Sequence, residues 1–301
     1  MHPVLKLIQS RDNRSLAESL DENSMIKTHA GVSALVLDSP HSGTTYPEDF
    51  SHACDLMTLR RAEDTHVEKL YSFSREVGAA WVEALFPRSY LDANRGLTEI
   101  DPELLDAEWP YPTDPASTNV KVRLGKSLIW RLTDEGEPIY ARLLTVSEVQ
   151  QRIDTCWKPY HQALTIAINK ALSNHGYCIH INCHSMPAIA SSHATEFPGL
   201  VHSDFVIGDR DGTTAAPHLS QRICEHLRDQ GYTVSYNYPY KGVEIVKKYG
   251  RPAEHCHSIQ IEINRKLYMC ETSLEIKPEF YDIKNTLRSL IEMLGTINAR
   301  V

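Results

Sequence analysis

The sequence predicts an α/β sandwich of three layers on a mostly parallel, mixed sheet, and two observations lead there. Apolar, β-branched runs end in polar tips at 32–43 and 176–187, and a third strand at 258–265 carries a glutamate. Between them lie stretches whose apolar residues recur at three and four, the spacing of one helix face. Alternating strand and helix is the pattern of a sheet with helices packed against it. In such folds ligands sit outside the carboxyl ends of the strands, which directs attention to the polar tips.

Each element follows from local pattern. Residues 1–30 are polar and end in a weak helical pattern, so they read as a surface extension or edge element. The first strand spans 32–37. Leu56, Leu59, Val67, Leu70, Tyr71 and Phe73 then describe one face of a helix from 55 to 77, with Gly78 as its stop. A strand at 79–86 runs into Pro87 and a second polar end, 89–96. Residues 101–122 hold Pro102, Pro110, Pro112 and Pro115 with little periodicity, as expected of a lid or binding loop. Residues 127–132 suggest a short strand or hairpin arm. Val149, Ile153, Trp157, Tyr160, Leu164, Ile168 and Leu172 mark a long helix over 147–173, which Pro159 is expected to kink or split. After the 176–187 strand come a polar loop with His193 and Pro198, a strand at 200–207, a helix stopped by Gly231, a strand at 232–236, the 258–265 strand and a last helix at 281–298.

Composition narrows the function classes. The chain of 301 residues is 42% apolar and contains no apolar run of eighteen, so one soluble domain with a large core is expected, and no membrane partner. Seven cysteines without a Cys-x-x-Cys pair argue against a disulfide framework or a thiolate zinc site. A net charge of −8 and a pI near 6.0 disfavour nucleic acid. No export or organelle signal is evident, and a cytoplasmic location is the expectation.

The polar tips carry residues suited to a zinc hydrolase. His41 and His184 each follow a buried run and stand beside a serine, and neutral imidazole is a favoured zinc donor. A catalytic zinc needs a third protein ligand, for which Asp64 is the choice. A helix-start acid that satisfies free N–H groups is the competing reading of Asp64, and Glu63 and His66 are the substitutes. On the late strand Gln260, Glu262 and Asn264 share one face, so Glu262 can serve as a general base or, alternatively, pair with Arg265 or Arg95 for structure. Asn94, Arg95, Arg131, Lys241 and Arg265 are donors and cations near strand ends or loops, and an arginine fork suits a substrate carboxylate. Asp209 and Asp211 read as turn residues or as orienting groups. Cys183 faces away from its neighbour His184 and reads as core.

Nine segments in order resemble the N-formylglutamate amidohydrolase family. They are Ser39-Pro40-His41-Ser42-Gly43, Asp64-Thr65-His66 with Leu70-Tyr71, Asp92-Ala93-Asn94-Arg95, Leu128-Ile129-Trp130-Arg131, Pro159-Tyr160-His161, His184-Ser185, Gly208-Asp209-Arg210-Asp211-Gly212, Asn237-Tyr238-Pro239-Tyr240-Lys241-Gly242, and Gln260-Ile261-Glu262-Ile263-Asn264-Arg265 with Leu267-Tyr268-Met269. The resemblance covers about 35 to 270 and implies a fold similar to the zinc carboxypeptidases. It implies one zinc per chain on His41 and His184, a substrate carboxylate on Asn94 and Arg95, and Glu262 as general base. An arginine such as Arg131 would stabilise the oxyanion or grip the second carboxylate. The carboxypeptidase acid ligand lies three residues after the first histidine, where this chain has Thr44, so Asp64 rests on its own local pattern. The implied reaction is hydrolysis of N-formyl-L-glutamate to formate and L-glutamate, as in histidine degradation. The same chemistry on another N-acyl amino acid or amidated carboxylate, or a non-catalytic metal-binding relative, are the competing expectations. The segment Val243-Glu244-Ile245-Val246 departs from the family pattern and adds a negative charge where a dicarboxylate is expected.

Overall fold

The computed structural model describes residues 24–113, 120–192 and 197–300. Within them seven strands form one mixed sheet in the order β1-β3-β2-β4-β7-β5-β6. The strands are β1 (Ile26–His29), β2 (Leu35–Ser39), β3 (Ala80–Ala84), β4 (Cys178–Met186), β5 (Phe205–Gly208), β6 (Val234–Tyr236) and β7 (Cys256–Asn264). The central four, β3, β2, β4 and β7, run parallel, while β1 on β3 and β5 on β7 are antiparallel. Helices cover both faces, giving the expected three layers.

One face packs Val36, Ala80 and Val82 against α4 (Lys158–His175) through Leu164 and Ile168 and against α6 (Glu244–Tyr249) through Ile245. The other packs Leu35, Leu37, Ile181, Ile207 and Ile261 against α2 (Val67–Leu70), α5 (Pro217–Asp229) and α7 (Phe280–Gly295). Each fully buried leucine or isoleucine contributes roughly 1.5–3 kcal/mol by leaving water, and the two-sided burial explains why the central strands read as long apolar runs.

Several sequence expectations are corrected. Residues 26–29 form the edge strand β1, in keeping with an edge element, but the weak helical pattern there gives way to a strand because β3 offers an antiparallel partner. The single helix expected over 55–77 is two short ones, α1 (Leu56–Arg61) and α2, separated by a turn in which His66 has φ +69°. That break buries Asp64, and its N–H donates to the His41 carbonyl at 3.0 Å. Pro159 does not split its helix. α3 (Val146–Arg152) passes into α4 through one wider turn, Ile153–Trp157, in which the Lys158 N–H reaches back five residues to Ile153. A wide turn of this kind absorbs the hydrogen bond that a proline cannot make. The strand expected over 200–207 is limited to β5, and residues 127–132 make isolated bridges, Lys126 with Trp130 and Leu132 with Pro138. Helix α6 has no sequence signature, because its apolar residues Ile245, Val246 and Tyr249 are too few to show a period.

Of the proline-rich segment, Leu104 and Leu105 are buried in the core on the α4 side and Leu105 bridges to Leu144. Pro115, His193 and residues 1–23 lie outside the described residues. No helix among the described residues is long and apolar enough to cross a membrane.

Candidate metal centre and hydrolytic site

The site is assembled where β2 and β4 end. Residues just after β2 carry His41, β4 carries His184, and the α1–α2 break carries Asp64. One ligand atom from each lies within 4.8 Å of the others, and all three side chains are buried. His184 Nδ1 is 2.9 Å from Asp64 Oδ2, and His41 Nδ1 is 3.5 Å from the same oxygen. His41 Nε2 is held at 2.6 Å by Asp92 Oδ1, while its buried Nδ1 makes no hydrogen bond among the described residues. Asp64 Oδ1 accepts from Arg265 at 3.1 Å and lies 3.5 Å from Arg88, so Oδ2 is left to face the histidines. An orphaned imidazole nitrogen, a second imidazole nitrogen and one carboxylate oxygen converging in this way fit a divalent metal.

The electrostatics keep the carboxylates ionised where ligands or anchors are needed. Burial alone would raise the Asp64 carboxyl, but the hydrogen bond from His184, the nearby His41 imidazole and the charge of Arg88 outweigh it and hold it well below the usual range. Asp92 is lowered in the same way, burial being overcome by His41 and Arg88. Glu262 behaves oppositely. Burial pushes it up to about 7 against the pull of His184, and the Asp64 charge adds to the rise. It stands beside His184 in the β4–β7 register, and Gln260 donates to its Oε1 at 2.9 Å. A carboxyl that titrates near neutrality beside a cluster able to hold a metal is suited to proton transfer.

Of the residues singled out from sequence, His41, Asp64, His184, Glu262, Asn94 and Arg265 come together. Asn94 Oδ1 accepts the Ile245 N–H at 2.8 Å from the start of α6, which turns its NH₂ group to within 3.3 Å of His184 Nε2. Arg95 is buried at the edge, with Nε donating to the Lys126 carbonyl at 3.2 Å and lying 3.9 Å from Asp92. Arg131 and Lys241 bind other partners. Arg131 donates to Asp101 at 2.8 Å and pairs with Glu103 at 2.9 Å, and Lys241, more than half exposed, pairs with Asp211 at 2.9 Å. Glu63 takes the Tyr46 hydroxyl and His66 the Leu274 carbonyl, so neither substitute joins the cluster. Asp209 is consumed by Ser220, Tyr236 and Asn237.

Four contributors carry no role in the sequence reading. Asp92 sits at a polar strand end like the histidines. Asn182 shares a face with His180 and His184 by the same period-two rule that exposed Glu262. Arg88, whose guanidinium lies 4.9 Å from the Trp130 ring and 3.3 Å from Asp92, had no local signal. Lys126 covers the same ring at 5.2 Å and pairs with Asp134.

Fold and site define a mixed-sheet α/β protein with a candidate mononuclear metal centre at the strand ends. The chain belongs to the N-formylglutamate amidohydrolase family, a family of hydrolytic enzymes, whose model matches residues 33–269. An N-formylglutamate amidohydrolase structure from Ralstonia eutropha JMP134 is 43% identical, with a TM-score of 0.85 over 90% of this chain and 97% of that one. An N-formylglutamate deformylase of Pseudomonas putida is 28% identical over 82% of this chain and 86% of its own. A gene product of Agrobacterium tumefaciens, 17% identical with a TM-score of 0.61 over 90% of this chain and 94% of that one, shares the fold.

Proposed function

We propose that the chain hydrolyses the formamide bond of N-formyl-L-glutamate to formate and L-glutamate, using one zinc ion held by His41, Asp64 and His184. The observation that carries the metal reading is the buried, unpartnered His41 Nδ1 beside Asp64 Oδ2 and His184 Nδ1. Two imidazoles and a carboxylate are a donor set that suits zinc and leaves a position open. Bound there, zinc supplies Lewis acidity to the formyl carbonyl and acidifies a water.

The remaining steps belong to the side chains. Glu262 takes the proton of the attacking water and, as the C–N bond breaks, returns it to the departing amino nitrogen, so the carboxyl ends each turnover as it began. Asp92 holds the His41 ring in place through Nε2. Arg88, whose buried Nε has no partner among the described residues, is the nearest cation to the cluster besides Arg265 and takes the oxyanion role that the sequence suggested for Arg131. Asn94, Arg95 and Lys126 supply donors and positive charge for a dicarboxylate, favouring an acidic N-formyl amino acid over a neutral one.

The decisive assay is formate release from N-formyl-L-glutamate, with N-formyl-L-aspartate and N-acetyl-L-glutamate beside it, before and after chelation and zinc return. Turnover of formylglutamate that is lost on chelation and restored by zinc is expected. Turnover untouched by chelation overturns the metal assignment, and preference for either of the other two substrates overturns the glutamate assignment.

A further inference from the structure

Behind His184 lies a buried chain of hydrogen bonds that the hydrolytic reading leaves unused. Asn182 Oδ1 is 2.7 Å from His184 Nε2. The other end of that carboxamide, Nδ2, donates to both oxygens of Asp38, at 2.9 and 3.1 Å. Asp38 also accepts from His180 Nε2 at 2.8 Å and from the Tyr160 hydroxyl at 2.5 Å, and Ser258 Oγ lies 2.7 Å from His180 Nδ1. Asp38, His180, Asn182 and Ser258 are wholly buried.

The chemistry of these groups leaves one arrangement. An ionised carboxylate only accepts, so the Asn182 group facing Asp38 is its NH₂ and the group facing His184 is its carbonyl oxygen. That oxygen also only accepts, so Nε2 of His184 carries a proton, and Nδ1, 2.9 Å from Asp64 Oδ2, is the nitrogen that faces Asp64 and His41. A competing donor exists in the Asn94 NH₂ group, 3.3 Å from the same Nε2, which would require Nε2 to be bare. The shorter contact, to an atom that cannot donate, decides between them.

We infer that Asp38 acts through the Asn182 carboxamide as a positioning residue, keeping the His184 proton on Nε2 so that Nδ1 faces the metal cluster. The inference rests on the metal reading only for its consequence, since the protonated Nε2 is a property of the protein with or without zinc.

Two measurements test it separately. In ¹⁵N-labelled protein, a slowly exchanging His184 Nε2–H resonance, assigned by its absence from His184→Gln, is expected in both the metal-free and the zinc-loaded protein. A bare Nε2 in the metal-free parent overturns the inference whatever zinc does. Zinc affinity, read by competition with a chromophoric chelator, is expected to fall about 10- to 100-fold in Asn182→Ala and in Asp38→Asn, where an amide no longer dictates which way Asn182 points. Tyr160→Phe removes a donor to Asp38 but neither Asn182 contact, and is expected to stay within about threefold of the parent on the same scale. Folded Asn182→Ala and Asp38→Asn that bind zinc like the parent overturn the inference. If instead the parent binds zinc no better than His184→Ala while its Nε2–H is present, the metal reading fails and the tautomer assignment stands.

Discussion

Glu262 is enclosed by His184, Asp64, Arg88 and Arg265, and at this scale the charge of each neighbour decides what a substitution does. Glu262→Gln keeps the shape and the Gln260 contact but cannot accept a proton. It is expected to lower kcat by about 10²- to 10⁴-fold while zinc content by elemental analysis stays that of the parent, and loss of zinc with the activity would make Glu262 a ligand instead. The pH dependence has a definite sign. The base works unprotonated, burial sets its carboxyl near 7, and a bound cation draws it lower, so kcat/KM is expected to rise through a limb at or below pH 7 and to lose that limb in Glu262→Gln.

At the level of elements, the loop after β2 has to turn closely against the end of β3 to deliver His41. A Cβ added to Gly43 would stand 2.3 Å from the Phe86 carbonyl oxygen and 2.4 Å from the Leu85 carbonyl carbon, both backbone atoms that cannot give way cheaply. Gly43→Ala is therefore expected to lower the melting temperature and weaken zinc binding at least tenfold through displacement of His41, as read by calorimetry and chelator competition. Helix α4 gives a pH test of packing. Burial, with the Lys248 charge adding to it, pushes His161 down to about 3 from its ordinary 6.5, so the folded protein refuses a proton that the unfolded chain accepts. Stability from this group is full above pH 6.5 and falls by about 1.4 kcal/mol per unit as pH drops toward 3. His161→Gln can keep the donor to the Ala93 carbonyl, and its urea midpoint is expected to decline less than the parent's between pH 6.5 and 4.5.

For the whole molecule, a metal held by residues from three distant stretches of chain binds the folded state and not the unfolded one. Zinc at about 100 times its Kd adds roughly 2.7 kcal/mol, so chelation is expected to lower the melting temperature and zinc to restore it, with His184→Ala insensitive to both. The same assembly explains why the site is lined with cations in a chain of net charge −8. Asp64, Asp92 and Asp38 are each paired in the interior, and Arg88 and Arg265 are brought in to balance the first two. An acidic substrate thus meets positive charge locally although the protein is acidic overall.

The sequence by itself determined the strand-and-helix alternation, the two histidines at strand ends and the face of β7 on which Glu262 lies, because these follow from periods of two and three to four that are local. It also carried the family, through motifs spread over most of the chain. Only the tertiary structure decided that the 55–77 stretch breaks at Asp64 instead of continuing as helix, since the reason is a hydrogen-bonded meeting with His184, His41 and Arg265 from distant segments. Arg88 and the Asp38–Asn182 link likewise came from three-dimensional proximity. Arg131 and Lys241, which look equivalent to Arg265 as cations near chain turns, differ from it only in which acids fold beside them: Asp101, Glu103 and Asp211 in place of Asp64. A charge's partner is set by packing across the whole chain, and no local period records it.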